Sequence, residues 1–414
     1  MPALIEVPLD LPHVRVLQTS IDGRDLIVTV ESTLESATCP HCGEQTSEFH
    51  SYGKTVRLRH LPVFGLRTWI ELRPKRYICR RCPGEPTTTQ QLPWYEPRSP
   101  HTKAYDDWLM LNLINSTEAD VARKCEVSEE EVLGALRRQV EARVAWESFT
   151  RLGVMGLDEI ALKKGHDDFI VLVTSKQPDQ ELRLLAVLPD RKKETVIAFL
   201  RTIPERLRET ITEVCIDMYD GYANAVKEVL PGVPLVVDRF HVAKAYRECA
   251  DKLRKKEMRE LKECLGEDEY AGLKGVMWGF RRSPESLKDE QKAQLELLFE
   301  CAPELKKAYQ LREDLTAIFE TRQTKEEGAG AFREWQEQVR LSGLQCFDSF
   351  LTSLDNWFEQ ITNYFTNRQT SGFVEGFNHK VKVLKRRCYG IFNLAHLFRR
   401  LFLDLEGYRL YARE

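Results

Sequence analysis

Three acidic residues in distinctive contexts are the most informative feature of this 414-residue chain. Asp158 lies in the run VMGLDEIAL, Asp217 in TEVCIDMYDGY and Glu375 in SGFVEGFNHKVK. Carboxylate oxygens are the ligands that hard divalent cations such as Mg²⁺ or Mn²⁺ prefer. Two such ions can stabilise the attacking and the leaving oxygens of a displacement at a phosphodiester. The sequence therefore predicts a two-ion catalytic site in which Asp158 bridges both ions and Asp217 and Glu375 each complete one.

Two further residues are candidates for a supporting role at this site. Asp238 ends the strand-like run PLVVD and competes with Asp217 for the second ligand position. We prefer Asp217, because the strand that follows the first long helix is expected to abut the strand of Asp158. His241 could orient water or a phosphate, although an isolated histidine is more often structural.

The segment that carries Glu375 is predicted to be an amphipathic helix. Apolar residues recur every three or four positions from Phe373 to Leu384 and form one face. Glu375 and Asn378 lie on the polar side, which makes Asn378 another candidate for a supporting role. The basic residues that follow suit a phosphate backbone, and we predict DNA contacts at Lys382, Lys385, Arg386 and Arg387.

Two CxxC pairs near the N-terminus predict a structural zinc site. The pairs are Cys39 with Cys42 and Cys79 with Cys82. Two such pairs can place four thiolates around one Zn²⁺ in a closed tetrahedral site. The alternative is a pair of unrelated turns with reduced thiols. The chain has 11 cysteines and no evident secretory signal, so a disulfide framework is not expected.

The charge distribution favours a nucleic-acid partner, although the formal net charge of the chain is −3. Nine basic residues lie between Lys54 and Arg81, with Glu71 as the single acid among them. Such local basic patches are compatible with DNA binding. We predict DNA contacts in this region at Arg73, Lys75, Arg76, Arg80 and Arg81.

The pattern becomes helical after the proline-rich segment LPWYEPRSP. Thr117 can cap one helix and Ser128 a second, with a tight connection between them. This pair has the form of a helix-turn-helix. Its second helix begins with three glutamates that phosphates would repel, so we expect DNA contacts later, at Arg137 and Arg138, and a plain helical hairpin stays open as the alternative.

The remaining elements predict an α/β fold. Three strand-like runs from Gly153 are followed by alternating helix and strand, which is the order of a ribonuclease H-like core with a mixed sheet of strand order 3-2-1-4-5. A large all-helical insertion follows, and within it we interpret Trp278 as a core residue, with base stacking as the alternative. The predicted domains are a β-rich zinc-binding domain (1–100), a helix-turn-helix domain (101–148), the first part of the core (149–240), the helical insertion (241–356) and the C-terminal part of the core (357–414).

The apolar runs are too short to span a bilayer, which takes roughly 18 residues or more. The N-terminal residues lack the basic and apolar regions of a secretory signal. We therefore expect a cytoplasmic protein with no membrane partner.

The motifs taken together resemble a DDE-type insertion-sequence transposase of the bacterial ISL-three family. The resemblance covers nearly the whole chain and is most specific in the closing pattern EGFNHKVKVLKRRCYGIFNL. It implies that Asp158, Asp217 and Glu375 are the catalytic triad and that the four paired cysteines bind zinc. It also implies that the front domains recognise inverted repeats at transposon ends and that a homodimer pairs the two ends. The partners are then double-stranded end DNA and target DNA, and the site of action is the nucleoid.

The expected activity is cleavage at the transposon ends and transfer of the freed 3′-hydroxyl to target DNA. Two other functions stay open. One is a zinc-dependent DNA-binding regulator, a domesticated transposase without chemistry. The other is a structure-specific ribonuclease H-like nuclease that needs no particular end sequence.

Overall fold

The computed structural model describes residues 8–161, 169–177, 181–368, 372–388 and 390–412, with the backbone alone for 372–375. The contacts within the chain define two compact units. Unit 1 consists of Met1–Ala142, Leu384–Gly390 and Arg399–Glu414, and unit 2 of Arg143–Val383 and Ile391–Phe398.

The N-terminal part of unit 1 is built from short strands. They are β1 (Val14–Asp22), β2 (Asp25–Ser32), β3 (Ala37–Thr38), β4 (Gln45–Thr46), β5 (Phe49–Tyr52), β6 (Val56–Val63), β7 (Leu66–Leu72), β8 (Lys75–Ile78) and β9 (Thr87–Thr89). One sheet has the order β1-β2-β7-β6, a second β5-β8-β9, and β3 pairs with β4. Alternate residues of β2 and β7, such as Val30 and Ile70, turn inward and pack with Trp94.

Three helices follow in unit 1, namely α1 (Lys103–Leu113), α2 (Glu118–Cys125) and α3 (Glu129–Gln139). Thr117 caps α2 by accepting a hydrogen bond from a backbone N–H, as its position in the sequence predicts. Ser128 caps α3 and forms a capping box with Glu131. Between them Glu126 adopts a left-handed conformation with φ 54°, which ends α2 and turns the chain.

A five-stranded mixed sheet forms the centre of unit 2. Its strands are β10 (Gly153–Ala161), β11 (Phe169–Lys176), β12 (Leu182–Leu188), β13 (Ile211–Ile216) and β14 (Leu235–Val237). Their order is β12-β11-β10-β13-β14. The first three pair antiparallel, whereas β10, β13 and β14 are parallel. Gly156 lies opposite Cys215, and Ile216 opposite Val237.

Helices make up the rest of unit 2 up to residue 367. They are α4 (Lys193–Thr202), α5 (Glu205–Arg208), α6 (Asp220–Val229), α7 (Arg239–Cys264), α8 (Glu267–Gly272), α9 (Val276–Phe280), α10 (Asp289–Cys301), α11 (Pro303–Glu320), α12 (Lys325–Leu341), α13 (Asp348–Asn356), α14 (Phe358–Thr362) and α15 (Tyr364–Asn367). Their buried residues, including Phe332 and Trp335, form one continuous core with those of the sheet. The helical insertion therefore does not have a separate core.

The prediction that Trp278 is a core residue is wrong, because its side chain is 60% exposed. Trp278 lies on the short helix α9, whose buried side is formed by Val276, Gly279 and Phe280. A helix of only five residues buries one side, and the Trp278 side chain lies on the opposite, exposed side.

Two helices complete the chain, α16 (Gly372–Arg387) and α17 (Leu394–Tyr411). Residues 357–414 were expected to form the C-terminal part of the core that contains the five-stranded sheet. Much of α17 instead groups with unit 1, where Leu403 joins the core of α1–α3. The wholly buried Arg400 donates hydrogen bonds to the carboxylate of Glu118 and to the carbonyl of Ser116, each at 2.6 Å. The C-terminal helix thus supplies apolar area that three short helices lack. No helix within the described ranges is long and apolar enough to cross a membrane.

Candidate active site

The parallel strands of unit 2 bring two of the predicted acids together. Asp158 lies two residues beyond Gly156 on β10, and Asp217 two residues beyond Cys215 at the end of β13. Because Gly156 and Cys215 are register partners and side chains alternate along a strand, both aspartates fall in one row on the same face. This row lies toward the carboxyl ends of β10 and β13.

His241 joins this pair from the first turn of α7. Its Nε2 atom contacts Oδ1 of Asp217. One ligand atom from each of Asp158, Asp217 and His241 lies within 4.8 Å of the other two. The sequence suggested only a supporting role for His241. The sequence did contain a signal for its position. His241 follows Val237 by four residues, and because β14 ends beside β13, the first turn of the next helix comes close to Asp217.

The environment of Asp158 opposes its ionisation. Burial and the neighbouring charge of Asp217 raise the pKa of Asp158 to about 6, against the opposite influence of His241. Two hydrogen bonds also favour the carboxylate. The backbone N–H of Glu159 donates to Oδ1 at 2.7 Å, and the side-chain amide of Asn378 donates to Oδ2.

The surroundings of His241 favour its protonated form. Burial disfavours the imidazolium, but the hydrogen bond and charge of Asp217 outweigh it and raise the pKa of His241. Asp158 and Asp238 act in the same direction. His241 is thus a partly buried base facing acidic groups, and its side chain is 24% exposed.

Asp238 has a different position from the one expected of a rival ligand. Its carboxylate accepts a hydrogen bond from the backbone N–H of Phe240 at 3.0 Å and caps α7. Asp238 is 1% exposed. Capping fixes where α7 begins and therefore the position of His241 one turn later.

The third predicted acid falls outside the part of the structure that can be described. Glu375 belongs to α16, but its side chain lies beyond the described residues. Asn378 of the same helix is described and contacts Asp158. Its Oδ1 atom is buried and has no hydrogen-bond partner among the described residues.

These features fit a divalent cation. Asp158 and Asp217 offer oxygen ligands, which hard cations such as Mg²⁺ and Mn²⁺ prefer, and His241 contacts the Asp217 carboxylate beside them. Bringing two carboxylates together is unfavourable unless a positive charge compensates them. The unpartnered oxygen of Asn378 is a further acceptor beside Asp158. The residues present therefore suit a divalent cation, which Asp158 and Asp217 would hold.

An arginine that the sequence did not suggest lies near the site. Glu159, next to Asp158, accepts a hydrogen bond from the hydroxyl of Tyr222 at 3.1 Å and pairs with Arg191 at 3.3 Å. The Arg191 guanidinium lies 5.1 Å from the ring centroid of Tyr219 and is half exposed. No motif marks Arg191, because its position depends on the loop between β12 and α4.

The four paired cysteines in unit 1 form a compact cluster. The Sγ–Sγ distances are 3.9 Å for Cys39 with Cys82, 3.8 Å for Cys42 with Cys79, and 3.9 Å for Cys79 with Cys82. Zn–S bonds of about 2.3 Å in a tetrahedron require Sγ–Sγ distances of about 3.8 Å. Backbone N–H groups of Cys42 and His41 lower the pKa of Cys39 to about 6, which favours its thiolate. The cluster supports a structural zinc site.

Comparison with known proteins agrees with this organisation. A family model described as a transposase, of the ISL3 type, matches residues 155–401. The chain belongs to the ISL3 transposase family. A zinc-finger model of the transposases of IS204, IS1001, IS1096 and IS1165 matches residues 35–82. The helix-turn-helix model of family ISL3 matches residues 90–140.

Two curated relatives of this ISL3 transposase are similar over most of their length. The transposase for insertion sequence element IS1001 of Bordetella parapertussis is 27% identical over 389 residues, which is 93% of each chain. The transposase for insertion sequence element IS1557 of Mycobacterium tuberculosis is 23% identical over 393 residues, covering 90% of this chain and 86% of the relative. A zinc ribbon and a helix-turn-helix before a transposase domain support DNA binding.

The structure gives the predicted DNA-contacting residues of the helix-turn-helix unequal surroundings. Arg138 donates two hydrogen bonds of 2.8 Å to Asp106, which is buried and also contacts His101. Arg137 pairs with Glu130 at the surface and is 57% exposed. Arg138 therefore has a structural partner, whereas Arg137 remains accessible.

The other predicted contacts divide in the same way. Around the cysteine cluster, two of these residues pair with acids: Arg80 lies between Glu48 and Glu85, and Arg81 pairs with Glu44. Arg76 donates a hydrogen bond to Thr87, and Lys75 donates one to the carbonyl of Leu34. Arg73 lies over the ring of Tyr52. On α16, Lys382 and Arg386 are exposed and Lys385 is half-buried, which lowers its pKa. Arg387 is bonded to buried Asp404 at 2.9 Å.

Proposed function

We propose that this protein is an insertion-sequence transposase that binds the inverted repeats at transposon ends, cleaves the DNA there and transfers the 3′-hydroxyl to target DNA. The observation that carries the proposal is the cluster of Asp158 on β10, Asp217 directly after β13 and His241 in the first turn of α7. Family membership supports the transposase function itself.

The catalytic core proposed for this chemistry is ribonuclease H-like. The observed sheet supports the proposal, since three antiparallel strands are followed by two parallel ones in the order β12-β11-β10-β13-β14. Counted within the sheet, this order corresponds to 3-2-1-4-5. The first acid lies on the first strand and the second directly after the fourth.

In this proposal Asp158, Asp217 and Glu375 hold two Mg²⁺ or Mn²⁺ ions. Bound ions of this kind supply Lewis-acid stabilisation of the attacking and leaving oxygens at a phosphodiester. Asp158 would be the shared ligand, because it lies in the row with Asp217 and also contacts α16 through Asn378. The surrounding residues fix the carboxylates before DNA binds.

The assignment of Glu375 rests on its spacing from a described residue. Glu375 precedes Asn378 by three positions on α16, and residues three apart share one side of a helix. The amide of Asn378 contacts Asp158. A helix that brings Asn378 to the acidic row is therefore suited to bring a carboxylate one turn earlier to the same row.

Three neighbours are assigned positioning roles. His241 holds the Asp217 carboxylate through Nε2, Asn378 holds that of Asp158, and Asp238 fixes the start of α7. Such contacts restrict a ligand to one orientation, and losing them commonly weakens metal binding about 10- to 100-fold. Asp238 thus supports the site in the proposal and does not replace Asp217.

The exposed basic residues of the predicted set, Arg81, Arg137, Lys382 and Arg386 among them, are proposed to contact DNA phosphates. The two ends of the element would be paired by a homodimer. Each protomer would then bring one zinc domain and one helix-turn-helix to its own end.

The direct test uses purified protein, a labelled duplex that contains the element's own end, and Mg²⁺ or Mn²⁺. We expect cleavage at the end, a free 3′-hydroxyl, and joined products when a target plasmid is added. Chelation of the divalent ion should stop both reactions. Specific binding without any cleavage would instead indicate a regulator, and equal cleavage of a scrambled duplex would indicate a nuclease.

A further inference from the structure

The long helix α7 begins at the acidic site and carries a row of basic residues that the proposed function does not use. Its 26 residues start directly after Asp238, and His241 lies in its first turn. Seven exposed cations follow on α7, and the five that lie in one row are called here the α7 basic face: Lys244, Lys252, Lys255, Arg259 and Lys262. Arg247 and Lys256 lie to either side of this row.

Helical spacing places this row on the same side as His241 and opposite the buried side. Lys244 follows His241 by three residues, and Arg259 follows it by eighteen, which is five full turns of 3.6 residues. The opposite side packs Val242, Tyr246 and other apolar residues into the core of unit 2. The basic face is therefore directed to solvent along its whole length.

The charges of this face are largely uncompensated. No carboxylate among the described residues lies within 4.0 Å of the side-chain nitrogens of its five members. Asp251, which lies between them, is bonded to Arg254 and Arg281. Glu248 and Glu263 are the exposed acids on this side of α7 among the described residues. A row of unpaired cations attracts a polyanion over its full length.

The length of the face matches DNA. From His241 to Lys262 the helix rises about 32 Å at about 1.5 Å per residue, which is close to one turn of the double helix. Lysine and arginine contacts to phosphates are independent of base sequence and position the duplex. A duplex lying along α7 would have one end of this segment at the row of Asp158 and Asp217.

We propose that the α7 basic face binds the sugar-phosphate backbone of the DNA that enters the acidic site. This inference rests on the proposed function, since it assumes that the acidic row acts on DNA. The face contributes affinity without sequence specificity, whereas the front domains distinguish the end sequence.

Replacing Lys244, Lys255 and Lys262 together by Gln tests the proposal. The matched control replaces Lys292, Lys306 and Lys307 by Gln, which removes three exposed charges from α10 and α11. Fluorescence anisotropy then measures the affinity for a 40-base-pair duplex of the element's end, and for a scrambled duplex, over a range of salt concentrations. Circular dichroism verifies that both variants are folded.

The α7 variant should bind both duplexes more weakly, and the slope of log K against log salt should fall by about 3, or roughly one for each lost phosphate contact. The control should keep the slope of the unmodified protein. Equal slopes for the α7 variant and the unmodified protein would overturn the proposal, as would equal reductions in both variants.

Cleavage of the same end duplex by the unmodified protein, measured in parallel, separates a failure of the proposed function from a failure of this inference. If the α7 variant keeps its salt slope while the unmodified protein cleaves end DNA, the inference about α7 fails alone. If the unmodified protein binds but never cleaves with Mg²⁺ or Mn²⁺, the assignment of the acidic row fails, and the inference fails with it because α7 then leads to no reacting site.

Discussion

At the scale of residues, the acidic row is organised by its neighbours as much as by its own carboxylates. Burial and mutual repulsion would separate Asp158 from Asp217 in the absence of compensating groups. The backbone N–H of Glu159 and the amide of Asn378 donate hydrogen bonds that hold Asp158, and Nε2 of His241 contacts and holds Asp217. These contacts therefore keep the two carboxylates side by side.

Removing the His241 side chain should weaken metal binding at the row. We expect His241→Ala to lower the affinity for Mn²⁺ about 10- to 100-fold, because Asp217 loses the group that orients it. Isothermal titration with Mn²⁺ and no DNA measures this directly. His379→Ala, an exposed histidine on α16, is the control and should bind Mn²⁺ normally. Equal affinity in the two variants would remove His241 from the site.

The buried carboxyl of Glu213, outside the acidic row, gives a pH-dependent prediction. Glu213 on β13 is 3% exposed, and burial raises its pKa despite a hydrogen bond from Asn367 at 3.3 Å. Because the folded protein holds this proton more tightly than the unfolded chain, stability falls as the pH rises above the ordinary pKa of 4.5. Glu213→Gln should raise the midpoint of thermal unfolding more at pH 8 than at pH 5. A larger gain at pH 5 would contradict this.

At the scale of elements, neighbouring residues predicted where several helices and strands lie. They predicted very few of the contacts between residues that are distant in the chain. The caps at Thr117 and Ser128 and the strand-like run around Asp158 are written in neighbouring residues, so the sequence placed those elements closely. The role of Arg400 depends on Glu118, which is nearly three hundred positions away in the chain. Spacing alone carries no information about such a contact.

The neighbouring arginines of α3 allow a matched comparison. Arg138→Ala leaves the buried carboxylate of Asp106 without its bidentate partner and should lower the free energy of unfolding by about 3 kcal/mol. Arg137→Ala should change it by less than about 0.5 kcal/mol, because its pair with Glu130 is exposed. Urea unfolding measures both, and duplex binding of the folded proteins completes the comparison. A stable Arg138→Ala protein with weakened DNA binding would reverse the two assignments.

At the scale of the whole molecule, the chain combines a region that matches a zinc-finger model, a helix-turn-helix and a transposase domain. Composition and motif order predicted this combination, because each part has its own local pattern. They did not predict that α17 groups with the N-terminal residues or that the helical insertion shares its core with the sheet. Both features follow from apolar faces whose partners are remote in sequence.

Loss of zinc should impair DNA recognition. Cys79→Ser removes one of four clustered thiolates, so we expect less than one zinc per chain by mass spectrometry and weaker binding to end DNA. Cys264→Ser changes an exposed cysteine of α7 and is the control. Undiminished zinc in the Cys79 variant would count against the site.

The central claim is that the carboxylate row performs the chemistry on DNA, and Asp158→Asn tests it most directly. The substitution keeps the shape of the side chain and removes its charge at the shared ligand position. Binding and cleavage of the same labelled end duplex are measured in parallel with Mg²⁺ or Mn²⁺. We predict that binding is within about twofold of the unmodified protein and that cleavage falls by about a thousandfold or more. Cleavage at the unmodified rate by the Asp158→Asn protein would contradict the account.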